Sequence, residues 1–348
     1  MTKVEKFNSE SGEIVHLTLT NSGGASVVLS SLGAGIVAVN VPDRNGVMAD
    51  VALGYANPSD YIGDGPACGK IPGRYANRIA SGRFSLDGHE YRLPINNGPN
   101  CNHGGDQGFH NRNWNVEQYD DHSVTFSYLS KDGEAGFPGN LRVEARYLWT
   151  ECNALKLILT ATTDRPTVIN LTNHAYWNLK GHDSGSALRQ LLKLNAAYYL
   201  PTDETLIPLG QLEPVKDTPM DFRTFKPIGK DVDADFPALK IGKGYDACWV
   251  VDGYAKNTVK TVATLKDEET GRILEIESDQ PGVQVYSGNW LSGCPKNKSG
   301  RGYKDYDGVA IECQGFPNSP NTPTFPSTIL RPGETYKRHI NFIFRTIK

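Results

Sequence analysis

Apolar and polar residues alternate with a period of two through much of this chain, and that periodicity restricts most of it to half-buried strands. Residues 14–20, 84–93, 124–128, 143–149, 155–159 and 336–344 alternate or cluster β-branched and aromatic side chains. Asn45-Gly46 and Asp87-Gly88 are dipeptides that accept positive φ, the hairpin signature. Phe84 and Leu86 before the second turn, and Tyr91 and Leu93 after it, are expected on one face of that hairpin. Residues 261–265 and 273–276 flank a further polar turn at 266–271. Helical patterning is scarce. Residues 186–200 can be drawn as an amphipathic helix, but Tyr198-Tyr199 and the following Pro201 leave the segment ambiguous. With 36 glycines and 21 prolines among many short strands, the expected fold is all-β, a sandwich or barrel. No repeat or linker-like stretch divides the chain, so a single domain over residues 1–348 is expected. The loops 293–308 and 314–326 show no structure of their own, and long loops in compact domains tend to be functional.

Composition excludes several classes of partner. A formal charge of −3 leaves no electrostatic footprint for nucleic acid or an anionic membrane. Lys296, Lys298, Arg301 and Lys304 form a local basic cluster, read as a solvated loop rather than an anion site. No apolar run approaches the roughly 20 residues that a membrane span needs. The start, Met1 to Phe7, lacks the apolar core of a signal peptide, although an export leader removed earlier would leave the same trace. Six cysteines show no C-x-x-C pair and no regular spacing, which fits a reducing compartment. A cytoplasmic location is the expectation.

Residues 170–179 read Asn-Leu-Thr-Asn-His-Ala-Tyr-Trp-Asn-Leu. His174 can transfer a proton, three asparagines offer amide donors and acceptors, and Tyr176 and Trp177 supply flat apolar faces. Sugars need that mixture. A strand end with Trp177 in the core and a hydrogen-bonded His174 explains the segment equally well. Four other polar groups lie far apart in turn-rich or strand-end settings: Asn77-Arg78, His103-Gly104-Gly105, Asp246 before the run 247–251, and Glu312. Glu312 interrupts Val309-Ala310-Ile311 and Cys313, where desolvation would raise its pKa toward the range of a general base. An outward-facing Glu on a half-buried strand is the plainer reading. His103 can equally be a turn residue, and Arg78 half of a surface ion pair.

Taken together these segments resemble the aldose 1-epimerase family, from about Ser31 to Arg345. The resemblance rests on Gly73-Arg74-Tyr75-Ala76-Asn77-Arg78-Ile79, His103-Gly104-Gly105, residues 170–179, Gly244-Tyr245-Asp246 and Glu312-Cys313-Gln314, in the family's order. Phe316-Pro317-Asn318-Ser319-Pro320-Asn321, Pro326-Ser327-Thr328 and Leu330-Arg331-Pro332-Gly333 add to it. It implies a large, mostly antiparallel β-sandwich of the galactose mutarotase-like supersandwich kind, with the site in an open cleft. By position, Glu312 is implied as general base, His174 as general acid and His103 as a second histidine near the ring oxygen. Asn77, Arg78, Tyr176, Asp246 and Gln284 are implied to hold sugar hydroxyls. Two departures stand out. Asn100-Cys101-Asn102 precedes His103 where many relatives have another histidine and a leucine, and Cys313 replaces a common threonine.

The implied reaction interconverts the α and β anomers of a free aldohexose such as D-glucose or D-galactose. It needs one base and one acid poised apart, and no cofactor, metal or phosphate. The chain agrees in lacking G-x-G-x-x-G after a strand, a P-loop and H-E-x-x-H. A monomer or homodimer with a small-molecule ligand is expected. Three rivals remain open on sequence. One is a metal or glycoside-processing enzyme using His103, His174, Asp246 and Glu312. Another is a non-catalytic sugar-binding module, which would not need both Glu312 and His174. The third is an epimerase for a different aldose or a sugar phosphate, the latter calling for several Arg or Lys around the site.

Overall fold

The computed structural model describes residues 2–10 and 12–347. Among these, strands dominate and pair antiparallel into three large sheets. The first has five strands in chain order: Lys3–Ser9, Gly12–Thr20, Ser26–Ser30, Gly35–Pro42 and Met48–Asp50. The second has nine. Its centre joins Leu141–Trp149, Ala154–Thr163, the long C-terminal strand Tyr336–Thr346 and Arg272–Ser278. The third runs Tyr176–Trp177, Val309–Gln314, Gly282–Tyr286, Asp246–Val250, Tyr198–Leu200 and Glu213–Pro214. All three contribute to one buried apolar cluster, which holds Val27 and Leu29, Leu157 and Phe342, and Trp177, Val285 and Ile311. This is the all-β fold that the alternation implies, in the largely antiparallel sandwich form that the family resemblance implies.

The register of the six-stranded sheet matters most for function. Tyr176 pairs with Ala310, Gln284 with Glu312, and Asp246 with Tyr286. Paired residues and every second residue share a face. Tyr176, Glu312, Gln284, Tyr286 and Asp246 therefore project from one side. Trp177, Ile311, Cys313, Val283, Val285, Ala247 and Trp249 project from the other, into the apolar cluster. One sheet thus buries its apolar residues behind and collects its polar ones in front.

Several expectations change. Residues 186–200 hold a short 3-10 turn, Ala187–Arg189, followed by the strands Leu191–Leu194 and Tyr198–Leu200. Pairing with Lys260–Lys266 and Asp246–Val250 satisfies their backbone, and this tertiary hydrogen bonding overrides the helical pattern. Lys298 is not solvated either. Its ammonium donates to Asp50 Oδ2 at 2.5 Å and to the carbonyls of Val37 and Ala52 at 2.8 Å, tying the loop 293–308 to the first sheet. Arg301, in the same loop, pairs with Asp183.

The hairpin Arg83–Leu86/His89–Arg92 forms as its turn chemistry requires. Phe84 sits opposite Tyr91, with ring centroids 5.2 Å apart. Asp87 has φ 50° and Gly88 φ 81°, the left-handed pair of a two-residue turn. A Cβ on Gly88 would meet nothing within 4 Å, so the only cost of a side chain there is the backbone conformation. Gly88→Ala should therefore lower the unfolding free energy by about 1–2 kcal/mol. Urea denaturation measures this, and an unchanged midpoint would mean that the turn relaxes freely.

Candidate active site

A cleft of about 580 Å³ opens over the polar face of the six-stranded sheet, a volume in the range of small-molecule sites. Glu312, His174, His103, Asn77, Arg78, Tyr176 and Asp246 all line it. Residues from five separate parts of the sequence meet there. Gln284 stands one layer behind: it is buried, and its side-chain amide donates to Asp246 Oδ1 at 2.6 Å.

Glu312 and His174 meet on the floor. His174 Nε2 lies 3.4 Å from Glu312 Oε1, with side chains 7% and 2% exposed. Burial drives the two pKa values apart. Glu312 is pushed well above the ordinary carboxylate range, first by desolvation and then by the Asp246 charge, against an opposing pull from Arg78. His174 is lowered to about 4, mainly by desolvation and further by the cationic Lys70. Both shifts favour a neutral pair, with one proton between the two groups, over a carboxylate facing an imidazolium. Glu312 Oε2 and His174 Nδ1 are buried without protein partners.

His103 has a different character. Its ring stands edge-on to His174, centroids 5.3 Å apart, and to His110 at 6.2 Å. The backbone N–H of Asn77 donates to His103 Nδ1 at 3.1 Å. That nitrogen must then carry a lone pair, so neutral His103 has its hydrogen on Nε2. Burial, with His174, His110 and Arg78 nearby, lowers its pKa well below the usual value. His103 is thus built as a fixed hydrogen-bond donor. Its backbone explains the glycine after it: Gly104 has φ 81°, and a Cβ there would fall 2.2 Å from the Gly73 carbonyl oxygen.

Arg78 and Asp246 form the opposite wall. The guanidinium lies 3.6 Å from Asp246 Oδ2, and its Nε donates to Asn97 Oδ1 at 2.9 Å. Asp246 is held on both sides, by Arg78 and by Gln284. Behind Arg78, the motif 316–321 acts as a buttress. Asn318 N donates to the Arg78 carbonyl, and Tyr75 donates its hydroxyl to the Phe316 carbonyl. Arg74, in the same 73–79 motif as Arg78, points away, donating to Pro138, Gly139, Ser130 and Thr167 as a purely structural tie.

The segment 170–179 divides its work differently from the sequence expectation. Trp177 is fully buried against Phe342 and Phe344, because strand alternation sends it opposite to Tyr176. It cannot offer its face to a sugar. The three asparagines are engaged elsewhere: Asn170 with the backbone of Ala76 and Gly315, Asn173 with the Gly69 carbonyl and the Tyr147 hydroxyl, and Asn178 with the Gly185 and Asp307 carbonyls and the Gln190 side chain. The aromatic surface of the cleft comes from Tyr176, Tyr286 and the rim residue Trp290, which is 66% exposed. Tyr286 was findable, since it lies two residues beyond Gln284 on the same strand face. Asn97, Pro66 and the stretch 204–206, which also line the cleft, carry no local signal beyond ordinary turn chemistry.

The sequence matches the family described as aldose 1-epimerase over residues 15–342. The chain belongs to the aldose 1-epimerase family. It is 38% identical to the galactose mutarotase of Sus scrofa over 349 aligned residues, covering 98% of this chain and 94% of that one. With the aldose 1-epimerase of Escherichia coli strain K12 it shares 38% identity, covering 94% of each. Among solved structures it is similar to an aldose epimerase homologue from C. elegans, with a TM-score of 0.88 and 30% identity. That match covers 99% of this chain and 100% of the other. A galactose 1-epimerase from Lactobacillus acidophilus gives a TM-score of 0.86 at 28% identity, covering 100% and 99%.

In this aldose 1-epimerase family member the two departures leave Glu312 and His174 alone. Cys313 points to the core side of its strand, and Cys101 packs with Tyr75, Ile79 and Phe84. Asn100 is spent on Ser81 N and the Thr205 carbonyl, and Asn102 reaches the cleft. The tautomer assigned to His103 can be checked by nitrogen-detected NMR. The ring should stay neutral, with hydrogen on Nε2, from about pH 8 down to 5. Titration near the ordinary histidine value would refute the fixed-donor assignment.

Proposed function

We propose that this protein is an aldose 1-epimerase that interconverts the anomers of free aldohexoses such as D-galactose and D-glucose, with Glu312 and His174 as its proton-transfer pair. The observation that carries the reading is their 3.4 Å approach on the floor of a sugar-sized cleft, in a chain of this family. Glu312, ionised when substrate binds, takes the proton from the C1 hydroxyl while His174 gives its proton to the ring oxygen. The C1–O5 bond breaks and leaves an open-chain aldehyde. Rotation about C1–C2 presents the other carbonyl face, and the two proton transfers run backwards to close the ring.

The electrostatics support this sequence of events. Ring opening turns a carboxylate and an imidazolium into a carboxylic acid and an imidazole. Burial favours that neutral pair, so the site stabilises the side of the reaction that is scarce in water. His103, donating from Nε2, suits the ring oxygen or a neighbouring hydroxyl. Asp246, clamped by Arg78 and Gln284, suits acceptance from distal hydroxyls, and Asn77, Arg78 and Tyr176 complete the contacts. Gln284 is read here as Asp246's support rather than a direct sugar contact. Each positioned proton-transfer group contributes on the order of 10²- to 10⁴-fold.

Free sugars are favoured over sugar phosphates by one count. Among the described residues lining the cleft, Arg78 is the sole Lys or Arg, and it is already paired with Asp246. A binding-only role is disfavoured by the buried acid–base pair, which costs stability and serves no purpose in simple recognition. Among the described residues no group of three His, Cys, Asp or Glu is arranged to hold a metal ion, and none of their helices is long and apolar enough to cross a membrane. The six free thiols support a reducing, cytoplasmic setting. We read the chain as one domain, supported by the shared core of the three sheets, working as a monomer or homodimer.

Polarimetry on freshly dissolved α-D-galactose and α-D-glucose tests the reaction: the protein should speed the approach to an unchanged final rotation. Glu312→Gln and His174→Asn should each reduce kcat by about 10²-fold or more. Full activity in either variant would remove that residue from the chemistry. Asp246→Asn should act mainly on KM, and an effect confined to kcat would count against hydroxyl binding.

A further inference from the structure

We propose that a second cavity, at the start of the C-terminal strand, binds a small organic anion with an aromatic body, such as an aryl carboxylate. The cavity encloses about 610 Å³, comparable with the cleft, and no residue lines both. Sheet register builds it. Thr167 pairs with Leu330 and Val168 with Ile329, which fixes the segment 326–330 along one side. On another side Ser278 pairs with Ile340, and the same register continued brings Gln280 level with Arg338. Arg338 Nε accordingly donates to Gln280 Oε1 at 3.2 Å. Ile169, Pro281 and Leu330, all buried, give the cavity apolar walls, and the Tyr336 ring adds a flat one.

The polar groups of this cavity have donors to spare. The hydroxyl of Tyr336, a residue 8% exposed, accepts from Leu171 N at 3.2 Å and from Gln280 Nε2 at 3.4 Å. Both lone pairs are then occupied, and among the described residues the hydroxyl donates to no acceptor. The Arg338 guanidinium lies over the Tyr336 ring, 5.1 Å from its centroid. Besides its bond to Gln280 it gives one hydrogen to the Lys337 carbonyl at 2.8 Å, which leaves three of its five N–H groups unspent. Lys256, exposed on a neighbouring loop, also lines the cavity, and among the described residues neither cation forms an ion pair. The one acid in the lining, Glu334, accepts from Arg331 N at 2.9 Å through Oε2. The Asn170 amide is already committed to Ala76 and Gly315. Two cations against one carboxylate, with a spare hydroxyl hydrogen, complement an acceptor-rich anion. Apolar walls beside them complement an aromatic body. The ring opening proposed above uses none of these residues, so this inference stands apart from that reading.

Fluorescence titration with 8-anilinonaphthalene-1-sulfonate tests the site, with N-phenyl-1-naphthylamine as the uncharged counterpart of the same shape. The sulfonate should saturate one site per chain and bind more tightly than the amine. Arg338→Gln should weaken the sulfonate roughly tenfold, the loss of one charged hydrogen bond, and leave the amine unchanged. Lys256→Gln, at an exposed position, should weaken it in the same sense and keeps the test available should the arginine variant not fold. Trp290→Ala, at the rim of the cleft, should change nothing. Weakening by Trp290→Ala would place the dye in the cleft and overturn the proposal. Equal affinity for the two dyes would leave an apolar pocket without anion recognition. No saturable binding, or binding that is indifferent to Arg338 and Lys256, would also overturn it.

Discussion

A carboxyl group and an imidazole, both buried, meet at 3.4 Å on the floor of the cleft, and the rest of the site is arranged around that contact. Taking Glu312 and His174 out of solvent is costly as an ion pair and tolerable as a neutral pair. The proposed reaction uses the difference. The charged arrangement is needed at the start of ring opening, and the neutral one belongs to the open-chain intermediate. The protein can hold such a site because the same strands bury Val285, Ile311, Trp177 and Trp249 on their reverse face. Apolar burial on one face stabilises a sheet that carries polar groups on the other.

Rigidity is distributed unevenly and with consequence. Asn170, Asn173 and Asn178 tie loops together and make no approach to the cleft, while His103 is fixed in one tautomer by a single backbone N–H. Asp246 is held from two sides. The groups proposed to contact sugar hydroxyls are therefore locked, as preorganised binding requires. Glu312 Oε2 and His174 Nδ1, both left without protein partners, belong to the pair proposed to exchange protons.

How much of this could be read in advance follows from what each signal depends on. Period-two alternation and the Asp87-Gly88 turn are local properties, and both survive folding unchanged. Glu312 is conspicuous because a carboxylate within an apolar run contradicts its surroundings. Cross-strand register is not local: that Gln284 serves Asp246, and that Trp177 faces away from Tyr176's cleft, depends on which strands pair and where. Residues 186–200 become strands because their partners lie about 50 to 80 positions away. Lys298, read as part of a solvated loop, is the clearest failure. A lysine in a Gly- or Ser-rich stretch carries no mark of burial, and its acceptors come from segments that the fold alone brings near.

The most direct test of a shared proton is a double-variant comparison by polarimetry on α-D-galactose. Glu312→Gln, His174→Asn and the two combined would be measured against the unaltered protein. If the two groups act as one proton-exchange unit, the combined variant loses little more than the worse single one, because either change already disables the exchange. Losses that multiply would contradict the account and show two groups contributing independently.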